Sequence, residues 1–186
     1  MKTFKQFLKE AKQLKEENSK YKPGEFGYWW TVEQGIEDIE GTVWNDNIDC
    51  SRQKLTSLRG CPKEVKGSFD CSVNNLTSLE FVPNEIYKDF NCSWNLNLTS
   101  LKGSPEVGEN FKCFHTGITS LEGCPKKISG DFICTWTKLK TLKYSPKKIS
   151  GDFVCEYNLN LTRKEIDDFQ QKIKDKKVII GGHFSY

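Results

Sequence analysis

The sequence predicts a repeat solenoid of short parallel β-strands with loop returns, and three observations carry that prediction. Ile48, Phe69, Phe90, Phe111, Phe132 and Phe153 stand 21 residues apart. Two residues after each stands a cysteine: Cys50, Cys71, Cys92, Cys113, Cys134 and Cys155. Between the cysteines runs a Leu-Thr-Ser-Leu-x-Gly-x-Pro segment, clearest at Leu98 to Pro105. A fixed period in this range marks a repeat whose units bury their apolar side only by stacking. One strand per coil is expected, giving six strands in a parallel sheet about 24 Å long.

The bulk numbers narrow the class. A length of 186 residues suits one domain with appendages. With 28 basic and 25 acidic residues the net charge is +3, too balanced to argue for nucleic acid. The apolar fraction of 36% is low for a globular domain but tolerable in a small solenoid with much surface per residue. No apolar run approaches the roughly 18 residues of a membrane span, and the first residues lack the apolar core of a secretory signal. The eight cysteines predict neither disulfides nor zinc. Columns on a pitch of about 4.8 Å point their side chains the same way, whereas a disulfide needs Cβ atoms about 3.8 Å apart and facing. Zinc wants four converging ligands, commonly from C-x₂₋₄-C pairs, and none occur. Inward-facing reduced thiols acting as small hydrophobes are expected, in a reducing compartment, with no metal and no cofactor.

In chain order, residues 1–20 form an amphipathic helix: Phe4, Phe7, Leu8, Ala11 and Leu14 share one face, and Thr3 with Gln6 makes a capping box. Residues 21–47 hold Tyr21, Phe26, Tyr28, Trp29, Trp30 and Trp44 among glycines. This is the expected N-terminal cap, since the first coil exposes its core edge, with short strands over Trp30–Val32, Ile36, Ile39 and Val43; a ligand site formed by the clustered tryptophans is the less favoured alternative. Residues 48–161 are the solenoid. Two coils carry one extra residue, at Asn95-Leu96-Asn97 and at Asn158-Leu159-Asn160. After the first the period is restored downstream, so tolerance lies in the loops and strand register is what is held. Residues 162–186 are a C-terminal helical cap. There Thr162 with Glu165 makes a capping box before Ile166, Phe169 and Ile173, and Val178–Ile180 suggests a strand.

The unit, with Phe69 and Cys71 on the strand, Asn74 at the turn and Leu76 and Leu79 after it, resembles the leucine-rich repeat. Its proline-containing back is similar to the short bacterial effector class, and the tandem Leu-Thr-Ser-Leu-x-Gly-x-Pro units look like repeat proteins of phage genomes. Gln53, Thr116 and Thr137 replace the turn asparagine in three coils, and a less regular ladder is expected there. The start, Met-Lys-Thr-Phe-Lys-Gln-Phe-Leu-Lys-Glu-Ala, resembles the capsid-targeting peptide of internal head proteins of T-even-type phages. That resemblance implies prohead-protease cleavage after Leu8-Lys9-Glu10, leaving Ala11 as the new terminus. It also implies residence in the capsid interior or the host cytoplasm.

Function is sought on the outward columns. Ser51, Ser72, Ser93, Phe114, Thr135 and Glu156 follow the cysteines, and Arg52, Val73, Trp94, His115, Trp136 and Tyr157 come next. Trp94, Phe114, His115, Trp136 and Tyr157 form an aromatic stripe over the later coils. Exposed apolar patches mark interaction sites, and Trp and Tyr dominate interface energy. The same rings could instead pack on one another along the ladder, and the two readings are compatible. Single-stranded nucleic acid is disfavoured because Asp49, Asp70, Asp89, Asp131, Asp152 and Glu156 flank the stripe. Asp89, Asp131 and Asp152 read as polar residues opening the strands. No nucleophile motif or phosphate loop is present, so no catalytic residue is assigned. The expected function is a non-enzymatic module binding a host or viral protein, of undetermined oligomeric state and with no membrane or nucleic-acid partner. A structural virion component and, less favoured, a hydrolytic enzyme are the alternatives.

Overall fold

The computed structural model describes residues 4–186, with the side chains of residues 4, 5, 7 and 8 outside that description; the Thr3 cap and the Leu8 side chain therefore fall outside it too. The chain is a parallel β-solenoid flanked by an N-terminal helix α1 (Phe4–Glu17) and a C-terminal helix. Each coil carries two strands of two residues, where one was expected. The first sheet holds Ile48–Asp49, Phe69–Asp70, Phe90–Asn91, Phe111–Lys112, Phe132–Ile133, Phe153–Val154 and Phe184–Ser185, seven strands and not six. The second strand comes from the Pro-x-x-Val/Ile tail after Pro62, Pro83, Pro125 and Pro146, from a tail one residue shorter after Pro105, and from the caps at either end. Val43–Trp44, Glu64–Val65, Glu85–Ile86 and Glu106–Val107 form one sheet, and Lys127–Ile128, Lys148–Ile149 and Ile179–Ile180 another. An alternation of two residues is too short to read as a strand from sequence. It is real here because Val65, Ile86, Val107, Ile128 and Ile149 must all face the core.

Coil-to-coil bonding runs in opposite senses on the two sides. In the first sheet amides donate to the following coil, as Phe69 N to Asp89 O (2.9 Å) and Cys71 N to Asn91 O (2.9 Å). In the second they donate to the preceding coil, as Tyr87 N to Val65 O (3.0 Å) and Gly108 N to Ile86 O (2.9 Å). Between the sheets lies a column of buried phenylalanines: Phe69, Phe90, Phe111, Phe132 and Phe153, with neighbouring centroids 5.1 to 6.3 Å apart. Both caps extend it. Phe26 meets Phe69 at 6.3 Å, and Phe169 and Phe184 meet Phe153 at 5.6 and 5.3 Å.

Buried asparagines tie the coils. Asn95 accepts from Leu76 N through Oδ1 (2.9 Å) and donates through Nδ2 to Cys71 O (3.1 Å) and Cys92 O (2.9 Å). Asn74 and Asn158 make the same cross-coil bonds. Thr116 reaches only Cys113 O of its own coil, and Gln53 turns outward to Ser51 O, the irregularity expected from the substitutions. A second polar ladder opens the strands. Asn47 Oδ1 accepts from Ser68 N, Asp89 from Asn110 N, Asn110 from Asp131 N, Asp131 from Asp152 N and Asp152 from His183 N.

The N-terminal cap is helical where short strands were expected. Helix α2 (Phe26–Tyr28) passes into a π-helical turn, Trp29–Glu33, against which α1 packs. The reason is spacing: Phe26, Trp29 and Trp30 share a face only in a helix, and that face closes the core. Phe26 stacks on Trp30 at 5.4 Å and Trp30 meets Trp44 edge-on at 5.4 Å. Of the expected strands only Val43–Trp44 forms. Helix α3 (Arg163–Lys174) starts at Thr162, whose hydroxyl accepts from Glu165 N at 3.2 Å. The Glu165 carboxylate does not close the box. It reaches across to Thr141 Oγ1 (3.0 Å) and Leu142 N (3.1 Å), docking α3 on the preceding coil.

Two stability outcomes follow. Asn95→Ala leaves Leu76 N, Cys71 O and Cys92 O buried without that partner. It is expected to cost about 3 kcal/mol in denaturant unfolding, the range for stranded buried polar groups; a loss below about 1 kcal/mol would remove the ladder from the stabilising terms. Phe81 occupies, at φ 67° and largely exposed, the repeat position where Gly60, Gly103 and Gly123 have φ 95°, 87° and 92°. A left-handed backbone costs a non-glycine residue about 1–2 kcal/mol, so Phe81→Gly should raise stability by roughly 0.5–1 kcal/mol after glycine's own chain entropy.

Candidate functional site

Leaving the first sheet, each coil turns at one residue held in the left-handed region: Arg52 (φ 59°), Val73 (55°), Trp94 (59°), His115 (51°), Trp136 (54°) and Tyr157 (58°). Six consecutive coils share it, so the conformation belongs to the repeat and not to the aromatic residues. It is sustained by the ladder: Trp94 N donates to Phe114 O (3.0 Å), His115 N to Thr135 O (3.1 Å) and Trp136 N to Glu156 O (3.1 Å). The turn also breaks the in–out alternation of a strand. Ser72 and Ser93, expected to face outward, are buried, and the side chains one residue later are thrown to solvent.

That column becomes a continuous ring stack in the last four coils. Trp94 lies on His115 at 3.9 Å, His115 on Trp136 at 5.6 Å and Trp136 on Tyr157 at 4.4 Å, with interplanar angles of 17°, 7° and 14°. Phe114 meets His115 edge-on at 6.0 Å. The five residues singled out in the sequence are therefore brought together. They pack on one another and still face water: Trp94, Trp136 and Tyr157 are 45%, 50% and 55% exposed. Stacking of about 0.5–1.5 kcal/mol per aromatic pair offsets much of the left-handed backbone cost of similar size. Because inner faces cover each other, what the stack offers a partner is a row of ring edges.

Two further residues belong to this surface. Leu96 and Leu159 are the inserted residues of the two longer coils, and they are 64% and 90% exposed. The only sequence signal for them was the extra residue in Asn-Leu-Asn. The two coils between them have no insertion, so the leucines stand as ridges on either side of a trough. His115, Thr116, Trp136, Thr137, Lys138, Tyr157 and Asn160 line it. Gly117 lets the bulged coil sit tightly on its neighbour: a Cβ there would lie 2.7 Å from Leu96 O.

The electrostatics separate this surface from the rest. Asp89, Asp131 and Asp152 are engaged with backbone amides at the strand starts. Cys113 is fully buried, whereas His115, two residues on, stands half-buried in the ring stack. Burial pushes the Cys113 thiol well above the ordinary range, and pushes those of Cys124 and Cys155 up to about 12. Burial also raises the thiols of Cys50, Cys71 and Cys92, which direct Sγ at carbonyls of the next coil, 3.3 to 3.5 Å away. Among the described residues no group of three or more His, Cys, Asp or Glu side chains is placed to hold a metal ion, and no helix is long and apolar enough to cross a membrane. Helix α1 runs unbroken through residues 8–11, so the Leu8-Lys9-Glu10 segment with Ala11 lies within a helix. Comparison of the chain with family models, curated proteins and solved structures found no match.

Proposed function

We propose that the chain is a non-enzymatic protein-binding module whose contact surface is the aromatic stripe Trp94, Phe114, His115, Trp136 and Tyr157. The observation that carries this reading is the ring stack itself, half exposed on a backbone fixed by ladder bonds. A preformed row of aromatic edges loses little side-chain freedom on binding, which is the condition under which aromatic contacts give affinity. Trp94→Ala combined with Trp136→Ala should abolish recovery of the partner while the chain stays cooperatively folded, its thermal transition lowered by no more than the roughly 10 °C that loss of the three stacked pairs accounts for. Retention of binding by the double variant would make the stack structural only.

The likeness of the repeats to phage repeat proteins, and of residues 1–11 to a capsid-targeting peptide, supports a phage-encoded protein. Its partner would be a host or phage protein, met in the host cytoplasm or the capsid interior. For cleavage after Glu10, α1 must unwind locally, since a protease reads an extended segment and this one is helical. Intact-mass measurement of purified particles should then show a species starting at Ala11; only full-length chain, or none, rejects packaging by this route.

A further inference from the structure

We infer that the trough between Leu96 and Leu159 receives one acidic amphipathic helix of a partner protein, laid along the coils between the two leucines with its apolar face on Trp136 and on them. This rests on the reading that the aromatic surface binds protein, and it specifies the chemistry of what binds.

Shape comes first. Leu96 and Leu159 are three coils apart, which on a strand pitch of about 4.8 Å sets the ridges roughly 14 Å from centre to centre. The leucine side chains take up part of that spacing, so one α-helix, about 10–12 Å across with its side chains, rests its apolar stripe against both ridges and two do not fit. A single extended strand, less than half that width, would leave one ridge without contact. The trough floor is short-chained, with Thr116 and Thr137, while its two ridges are leucine and one flank is the Trp136 and Tyr157 ring edges. That profile matches a helix whose residues at i, i+3, i+4 and i+7 form an apolar stripe.

Charge selects the sign. Lys138 lines the trough, and Lys140 follows on the same exposed side, on either side of buried Leu139. Neither forms an ion pair among the described residues. Nearby acids are already engaged: Glu165 with Thr141 and Leu142, and Asp167 with Arg163 at 3.0 Å. Glu156, beside Tyr157, lines a separate concavity with Leu161, Ile166 and Tyr186 and is not part of the trough lining. A helix bearing glutamate or aspartate toward Lys138 and Lys140 is therefore complementary, and a lysine-rich helix is repelled there. The α1 helix of a second copy, with four lysines to three glutamates, has no acidic excess and is already packed on its own cap.

The experiment is a display selection against the intact chain. The library holds single amphipathic helices of about 20 residues, with Leu, Ile or Phe fixed along one stripe and the remaining positions drawn from Glu, Lys and Gln. Glu-rich helices should be enriched. The best of them, made as a peptide, should lose about tenfold in affinity, some 1.4 kcal/mol, with Lys138→Glu and again with Leu96→Asp plus Leu159→Asp. Leu96 and Leu159 are exposed, so the last variant should keep the parent thermal transition. Enrichment of Lys-rich helices, no enrichment at all, or a peptide indifferent to both variants overturns the inference. Trp94 stands outside the trough lining, which separates the two levels of the reading. Binding that is lost with Trp94→Ala and Trp136→Ala but unchanged with the leucine and Lys138 variants keeps the stripe as a binding surface and removes the helix-in-trough geometry.

Discussion

Everything in this molecule depends on register between coils. A coil of 21 residues has too little apolar surface to fold by itself, and its two strands are only two residues long. Stability comes from placing identical groups directly above one another, so that the phenylalanines fill one column and backbone amides meet carbonyls of the next coil. The buried asparagines enforce this. Each spans two coils with both ends of its carboxamide, so a slip of one residue would strand several buried polar groups at once. Because the amides of the two sheets donate in opposite directions, the coil is bonded on both neighbours' sides by each pass of the chain.

The exposed stripe follows from the same rule. A turn at a left-handed residue is what brings the chain out of the sheet and back toward the leucine side, and the turn recurs wherever the unit recurs. Arg52 and Val73 adopt it without stacked partners, whereas Trp94, His115, Trp136 and Tyr157 adopt it and stack. Repetition of the backbone thus aligns four rings, and the choice of side chain alone turns a structural column into a surface. The insertions act similarly. They leave strand register untouched and lift Leu96 and Leu159 clear of the surface, so that two loop changes define a trough that no single coil contains.

The ends show the cost of the repeat and its remedy. An unstacked coil would expose a phenylalanine, so each cap donates aromatic residues to the same column: Phe26 and the tryptophans on one side, Phe169 and Phe184 on the other. Both caps use helices, since a helix can set residues three and four apart against a flat end, which a strand continuing the sheet cannot do. At the first end the arrangement is locked by Tyr21 and Lys20 on Asp38 and Glu40. Burial acts to raise the Asp38 carboxyl, but the bonds from Lys20, Glu40 N and Tyr21 hold it below the ordinary value. The stability this carboxylate contributes is therefore present above the unfolded carboxylate range and is lost as pH falls through its lowered native value.

By itself the sequence determined the period, the inward phenylalanine and cysteine columns, the asparagine turn and the two capping segments, because each is a one-dimensional pattern that stacking merely repeats. It also determined which aromatic residues share a surface, since equal spacing places Trp94, His115, Trp136 and Tyr157 in one column and Phe114 beside it. The second strand of every coil was not legible, because two residues of alternation carry no pattern. Nor was the burial of Ser72 and Ser93, because the left-handed turn at the non-glycine residue after each leaves no mark in the sequence and ends the strand's in–out alternation there. Closing the cap with a π-helical turn, the cross-coil use of Glu165 and the leucine ridges were decided only in three dimensions. Each depends on which neighbour another coil supplies, and that neighbour exists only after the coils have stacked.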